Sequence, residues 1–201
     1  MTPIRRLVGR RVQELREYSD IADIGEIGRR YFAMNAFDGV LTIIGVLMGN
    51  FMAEVRQPAI VISTGLSTCI AMGISGLWGA YLTESAERKR DLDELQNHVL
   101  ADLSQTKIGR ASRAAVVSVA LVDGLAPFFS ALTVLTPFFF TAFLTDITVS
   151  YYLSLGMALA ALFGLGAFLG KVSRDNLVVS GAKMITAGLV SIVLSYLLER
   201  V

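Results

Sequence analysis

The chain has 201 residues, 54% of them hydrophobic and only 17% charged, with a positive mean hydropathy. A soluble domain keeps roughly a quarter of its residues charged, so composition excludes an ordinary water-soluble fold. The net charge of +1 is a cancellation between unlike segments and carries no information as a sum.

Residues 1–30 hold seven arginines (Arg5, Arg6, Arg10, Arg11, Arg16, Arg29 and Arg30). Ile4, Leu7, Val8, Val12, Leu15 and Tyr18 recur beside them at helical spacing. That pattern predicts an amphipathic amino-terminal helix on the cytoplasmic membrane surface. No uninterrupted apolar region of a secretory signal is present in it. Beyond it lie five nearly uncharged runs of about 20 residues, the length that crosses a bilayer as a helix. They cover approximately Tyr31–Met52, Ala59–Thr83, Ala114–Thr141, Ile147–Gly170 and Leu177–Leu198. The fold class predicted is an all-α integral membrane protein of five transmembrane helices. Residues 31–83 carry helices one and two, 84–113 a cytoplasmic charged helix or linker, and 114–201 helices three to five.

Lys and Arg crowd residues 1–30 and 84–113, while 53–58 has only Arg56 and 142–146 has none. Basic residues mark cytoplasmic loops, which places the amino terminus inside and the carboxyl terminus outside. In the 84–113 segment, Leu92, Leu95, Val99 and Leu103 keep helical spacing, so the second helix continues past the membrane, with Gly109 a break before the third. His98, the single histidine, makes no metal cluster, and Cys69 within helix two reads as a small apolar filler. FDGVLT at 37–42 is echoed by VDGLAP at 122–127, and GAYL at 79–82 by GAFL at 166–169. A two-helix unit repeated in the same direction would account for both matches.

The chemistry concentrates on Asp38, which has no Lys, Arg or His within seven residues on either side. It lies about 10 Å inside the first apolar run at 1.5 Å per residue. A charge there costs on the order of 2.5–3.5 kcal/mol on insertion scales and marks a functional position by default. Its helical face carries Met34, Asn35, Asp38, Thr42, Gly45, Gly49 and Met52, and helix two offers a comparable face that includes Met72. Asp123 is a second Asp-Gly acid deep in helix three. Three uses are open: cation binding with oxygen and thioether help, proton carriage by a shifted carboxyl, and interhelical hydrogen bonding. Two such acids together favour a cation or proton pathway. Pro127 and Pro137 interrupt helix three and free carbonyls that can line it. The spans contain no nucleophile–base pair or histidine–carboxylate cluster, so the chain does not read as an enzyme.

FDGVLTIIGVLMG, then SGLWGAYLTESAER at 75–88, ALTVLTPFFF at 131–140 and LFGLGAFLGKVSRDN followed by SGAKMITAGLVSIVLSYLL occur in an order that resembles the vacuolar iron transporter family. The resemblance implies a homodimer that moves ferrous iron or manganese out of the cytoplasm against protons, with Asp38 at the matching pathway position near the subunit interface. The metal is a transported substrate and no permanently bound cofactor is implied. Where the family keeps a methionine in its second-helix signature this chain has Gly76. Ala80 stands for the glutamate that often precedes its tyrosine, and Val134 for one of two third-helix prolines. Met72, one turn before Gly76, is a substitute thioether. The family's glutamate-rich cytoplasmic helices have a shorter counterpart here in Glu84, Glu87, Asp91 and Glu94, which share a helix face. The expected ion pathway is Asp38, Asp123, Met72, Asn35, Thr42 and Met34, with Asp38 and Met72 as metal ligands. The expected partners are a divalent metal ion, protons, the lipid bilayer and a second copy, not nucleic acid, in a prokaryotic cytoplasmic membrane. Two rival readings remain: another solute on the same scaffold with Asp38 and Asp123 as a proton relay, and a non-transporting membrane assembly protein.

Overall fold

A chain in hydrocarbon must satisfy every backbone N–H and C=O internally, and the α-helix does so within one segment. The computed structural model describes residues 24–143 and 146–198 and is helical almost throughout. In chain order it forms α1 (Ile24–Met52), α2 (Pro58–Val99), α3 (Lys107–Phe139), a 3-10 turn (Thr141–Phe143), α4 (Ile147–Ser173) and α5 (Leu177–Leu198). Five of these helices are long and apolar enough to cross a membrane. The amphipathic helix predicted over 1–30 falls largely outside the described residues.

Hydropathy marks the apolar part of a helix rather than its ends. α1 and α3 therefore begin earlier than their apolar runs, on residues that include Arg29, Arg30, Arg110 and Arg113. α2 runs 42 residues without a stop, carrying the second apolar run into the charged segment as the leucine spacing predicts. The break before α3 does not fall at Gly109. Leu100 takes a left-handed conformation (φ 52°) and ends α2. Asp102 Oδ1 then accepts the Ser104 amide at 2.8 Å, and Thr106 Oγ1 accepts the Gly109 amide at 3.4 Å as a helix cap. Gly109 sits in the first turn of α3, where a Cβ would lie 2.5 Å from the Ser104 carbonyl oxygen. Nor do the prolines end α3: both Pro127 and Pro137 lie inside it, so each removes a hydrogen bond without breaking the helix.

Helix ends elsewhere follow local chemistry. Glu54 (φ 53°) and Arg174 (φ 60°) close α1 and α4 in the left-handed region, a position ordinarily given to glycine. Asp146 caps α4 by accepting the Thr148 amide, and Asn176 Oδ1 caps α5 by accepting the Val178 amide at 2.9 Å.

The chain divides into two compact units. In the first, whose described part is residues 24–32 and 75–124, α2 meets α3 backbone to backbone. A Cβ on Gly76 would lie 2.6 Å from the Asp123 carbonyl oxygen and 3.1 Å from the Gly124 Cα. In the second unit, residues 33–74 and 125–198 of the described chain, Gly39 of α1 meets α3 in the same way. A Cβ there would lie 2.5 Å from both the Pro127 carbonyl oxygen and Ser130 Oγ. Small residues at such crossings let helices pack where lipid offers no hydrophobic drive. Around that contact lies an apolar cluster including Val40, Ile43, Ile44 and Leu47 of α1, Leu135 and Phe138 of α3, and Leu162 of α4. Cys69 is fully buried in the same cluster. The Phe138 and Tyr151 rings meet edge to face at 4.9 Å, and the Tyr151 hydroxyl donates to the Val55 carbonyl at 3.0 Å. The echoed strings pack unlike one another: Gly79 of GAYL has open space, whereas Gly166 of GAFL lies against the Ser180–Gly181 backbone.

Gly39→Ala forces an atom into the Pro127 backbone, while Gly45→Ala places one in open space. The expected outcome in detergent is a loss of about 1–3 kcal/mol for Gly39→Ala and an unchanged or slightly raised melting temperature for Gly45→Ala. Hydrogen bonds from Thr148, its amide foremost, hold the Asp146 carboxyl below the ordinary aspartate value of 3.8. A depressed folded-state value stabilises above that range and is lost as pH falls through it. Wild type should therefore exceed Asp146→Ala in melting temperature by its full margin above about pH 4, and by less as pH drops below.

Candidate functional site

Asp38 lies one residue before the tight contact at Gly39, and that neighbour fixes its direction. A step of one residue turns about 100° around a helix, so with Gly39 buried against α3, Asp38 is exposed. It has neither a hydrogen bond nor an ion pair among the described residues. Met34, one turn earlier, is 58% exposed, while Asn35 and Thr42 are half-buried. Further along the same stripe, Gly45 and Gly49 have open space where a Cβ would stand. The close approach of helices that these two glycines permit is thus not used among the described residues. What results, among the described residues, is a face of α1 with an exposed carboxylate and thioether, Asp38 and Met34, beside two half-buried oxygen-bearing side chains, Asn35 and Thr42.

Met72 belongs to the same unit but packs half-buried against the apolar cluster with Leu66 and Leu132. Its thioether serves as core in this arrangement. Val134 and Ala80 are both buried, at 0% and 6% exposure, so a proline or a glutamate at those places would enter packed interior.

Asp123 belongs to the other unit. It is half-buried and engaged with neighbouring groups, and its carbonyl faces Gly76. Pro127, four residues on, has no amide hydrogen to offer that carbonyl. Tyr31 lies within electrostatic reach of Glu84, Asp123, Arg30 and Glu87. Glu84 is 8% exposed and holds Arg88, whose Nε donates to Glu84 Oε2 at 2.9 Å. Of the other acids singled out from the sequence, Glu87, Asp91 and Glu94 are exposed. Asp91 lines a cleft of about 150 Å³ with Arg88, Leu92, Leu95 and Ile108. Among the described residues no three His, Cys, Asp or Glu side chains come together to hold a metal ion.

Three features escape a reading by motif. Tyr31 joins the acids only through the fold. Lys183 is an exposed cation about 9 Å into α5 at 1.5 Å per residue, without an ion pair among the described residues. It breaks the apolar run as Asp38 does, so the same rule flags it, and its long stem suits a head that reaches back to the membrane surface. Ser150 and Ser154 of α4 are the third, being wholly buried.

Fold and site together define the class: an all-helical protein whose five helices are each able to span a membrane, with charged side chains inside three of the apolar runs, at Asp38, Asp123 and Lys183. The chain belongs to the family of the uncharacterized protein MJ0645 of Methanocaldococcus jannaschii. The two are 30% identical over 179 residues, covering 88% of this chain and 91% of the archaeal one. No family model matches the chain, and no solved structure does.

Removing Arg88 would leave the Glu84 carboxylate buried without its counter-charge, which costs about 1–3 kcal/mol or more. Arg88→Met should therefore lower the melting temperature clearly. Lys89→Met, at an exposed neighbour, should leave it unchanged.

Proposed function

We propose that the chain is a membrane transporter that carries a divalent metal cation, ferrous iron or manganese first, out of the cytoplasm in exchange for protons. The observation that carries this reading is Asp38, a carboxylate within an apolar helix, exposed and without a partner among the described residues. Left ionised against hydrocarbon it is costly, and a cation or a proton relieves that cost. Met34, Asn35 and Thr42 lie within one turn of it on α1 and add a thioether and neutral oxygens. The softer sulfur suits ferrous iron better than calcium or magnesium, and the oxygen donors suit manganese as well. In this reading the face left open by Gly45 and Gly49 meets a second copy, so Asp38 works at a dimer interface, as the resemblance to vacuolar iron transporters implies. Lys and Arg excess in 1–30 and 84–113 supports an amino terminus inside and a carboxyl terminus outside, in a prokaryotic cytoplasmic membrane. Asp123 serves as a second acid in its own unit, with Glu84, Glu87, Asp91 and Glu94 on the cytoplasmic approach. Met72 would have to leave the core to become a ligand, which makes Met34 the better thioether.

A second reading, transport of another solute with the acids relaying protons, draws support from Gly76. A methionine in that place would collide with the α3 backbone, so the family's second-helix sulfur has no room here. Thermal stabilisation separates the two readings: a shift with ferrous iron or manganese supports metal, and no shift with iron, manganese, cobalt or zinc supports the rival. In proteoliposomes under a pH gradient, Asp38→Asn is expected to reduce metal flux at least about tenfold, the scale of one lost charge contact near 1.4 kcal/mol. Undiminished flux would remove Asp38 from the pathway.

A further inference from the structure

α2 continues past its apolar run as a polar rod, and the apolar stripe on that rod is exposed. Trp78 and Tyr81, both exposed with rings 6.3 Å apart, are residues of the kind that mark a membrane interface. Leu95 and Val99 lie about 25–32 Å beyond Trp78 at 1.5 Å per residue, yet are 40% and 51% exposed. A lipid surface at Trp78 does not reach that far. Leu92, Leu95, Ile108 and Ala111 floor the cleft of about 150 Å³ between α2 and the start of α3, with Arg88 and Asp91 at its rim.

Charges around the cleft are ordered. Arg88 is held by Glu84. Glu87 and Asp91, with Glu94 one turn on, form an exposed acidic row bordering the stripe. Lys89, Arg90 and Asp93 lie with Asn97 on the other side of the helix. Across the cleft, α3 begins with the cations Lys107, Arg110 and Arg113, all exposed, and Arg113 donates to the Ser104 carbonyl at 3.1 Å.

The occupant that matches this surface is the amino-terminal segment of the same chain. Residues 1–12 carry Arg5, Arg6, Arg10 and Arg11 and no acid, whereas 13–23 carry Glu14, Glu17, Asp20 and Asp23 against Arg16 alone. Ile4, Leu7, Val8, Leu15 and Tyr18 supply the apolar stripe. The basic block complements the acidic row of α2, and the acidic block complements the cations of α3. An anionic bilayer would attract the first block and repel the second, which favours the protein surface. The tether is short as well. Tyr31 of α1 lies within electrostatic reach of Glu84 and Glu87 in the same unit. Ile24 and Asp91 are each about 10–11 Å further along their helices, so α1 begins near the level of the cleft. The residues from Tyr18 to Ile24 span up to about 20 Å when extended.

We propose that residues 1–23 dock on this surface of the first unit, with their apolar stripe over Leu92, Leu95 and Ile108 and their arginines against Glu87, Asp91 and Glu94. Docking does not depend on which solute the protein carries.

The test is the reactivity of single introduced thiols in the full chain, purified in uncharged detergent at low salt. Wild type, whose single thiol Cys69 is fully buried, sets the background. Leu95→Cys and Val99→Cys should react with a bulky uncharged maleimide at least about tenfold more slowly than Asn97→Cys on the far side of the helix. Reversing Arg5, Arg6, Arg10 and Arg11 to Glu should raise both to the Asn97→Cys rate. Reversing Glu87, Asp91 and Glu94 to Lys in that same chain should restore the protection, which a misfolded variant would not do. Equal rates at all three positions in the unreversed chain overturn the proposal, as do rates that stay high after the second reversal. Protection that survives the first reversal overturns it too, and its loss on dilution would assign the cover to a second copy. Protection seen only in anionic lipid vesicles assigns the cover to the membrane and equally overturns docking.

Discussion

Everything about the α1 face follows from one contact, the backbone of Gly39 against Pro127 and Ser130 of α3. In lipid, apolar area alone gives helices no reason to associate, so dispersion at close range and matched shape must do it. A side chain at 39 would push α3 away. With that contact made, the adjacent Asp38 is turned outward, and among the described residues Met34, Asp38 and Gly49 of its stripe are exposed. The Asp-Gly pair thus has divided labour: the glycine holds the helix, and its position directs the acid.

Gly76 shows the same rule with a different result. There the close approach brings α2 against the Asp123 carbonyl, which receives no amide hydrogen from Pro127. Packing so tight leaves no volume for a larger side chain. Met72, the thioether that sequence spacing offers instead, is spent on the apolar cluster. The polar and thioether groups beside Asp38 are then Met34, Asn35 and Thr42, all borne by α1 itself.

Much of the fold was legible in the sequence because hydrocarbon imposes a crude, long-range signal. Runs of 20 apolar residues find the five helices, and Leu92, Leu95 and Val99 find the extension of α2. Helix ends were less legible: Gly109 looked like a break, yet Thr106 and Asp102 make the turn. Which glycines pack was not legible at all. Gly45 and Gly49 have the spacing of a helix contact and face open space, while Gly39 and Gly76 have no such pattern and sit at the closest crossings. That outcome depends on how each helix is rotated toward its neighbours, which local spacing does not contain. Asp38 announced itself by its isolation in an apolar run. The burial of Glu84 and the orphaned hydroxyls of Ser150 and Ser154 exist only once helices pack.

Three helix stops use residues other than glycine. Glu54, Leu100 and Arg174 each hold a left-handed conformation that costs an L-residue with a Cβ roughly 1–2 kcal/mol. Two of the three are charged, and their side chains point from helix ends where polar groups are expected. The protein keeps a reserve of stability uncollected at three positions, which a glycine at any of them would release.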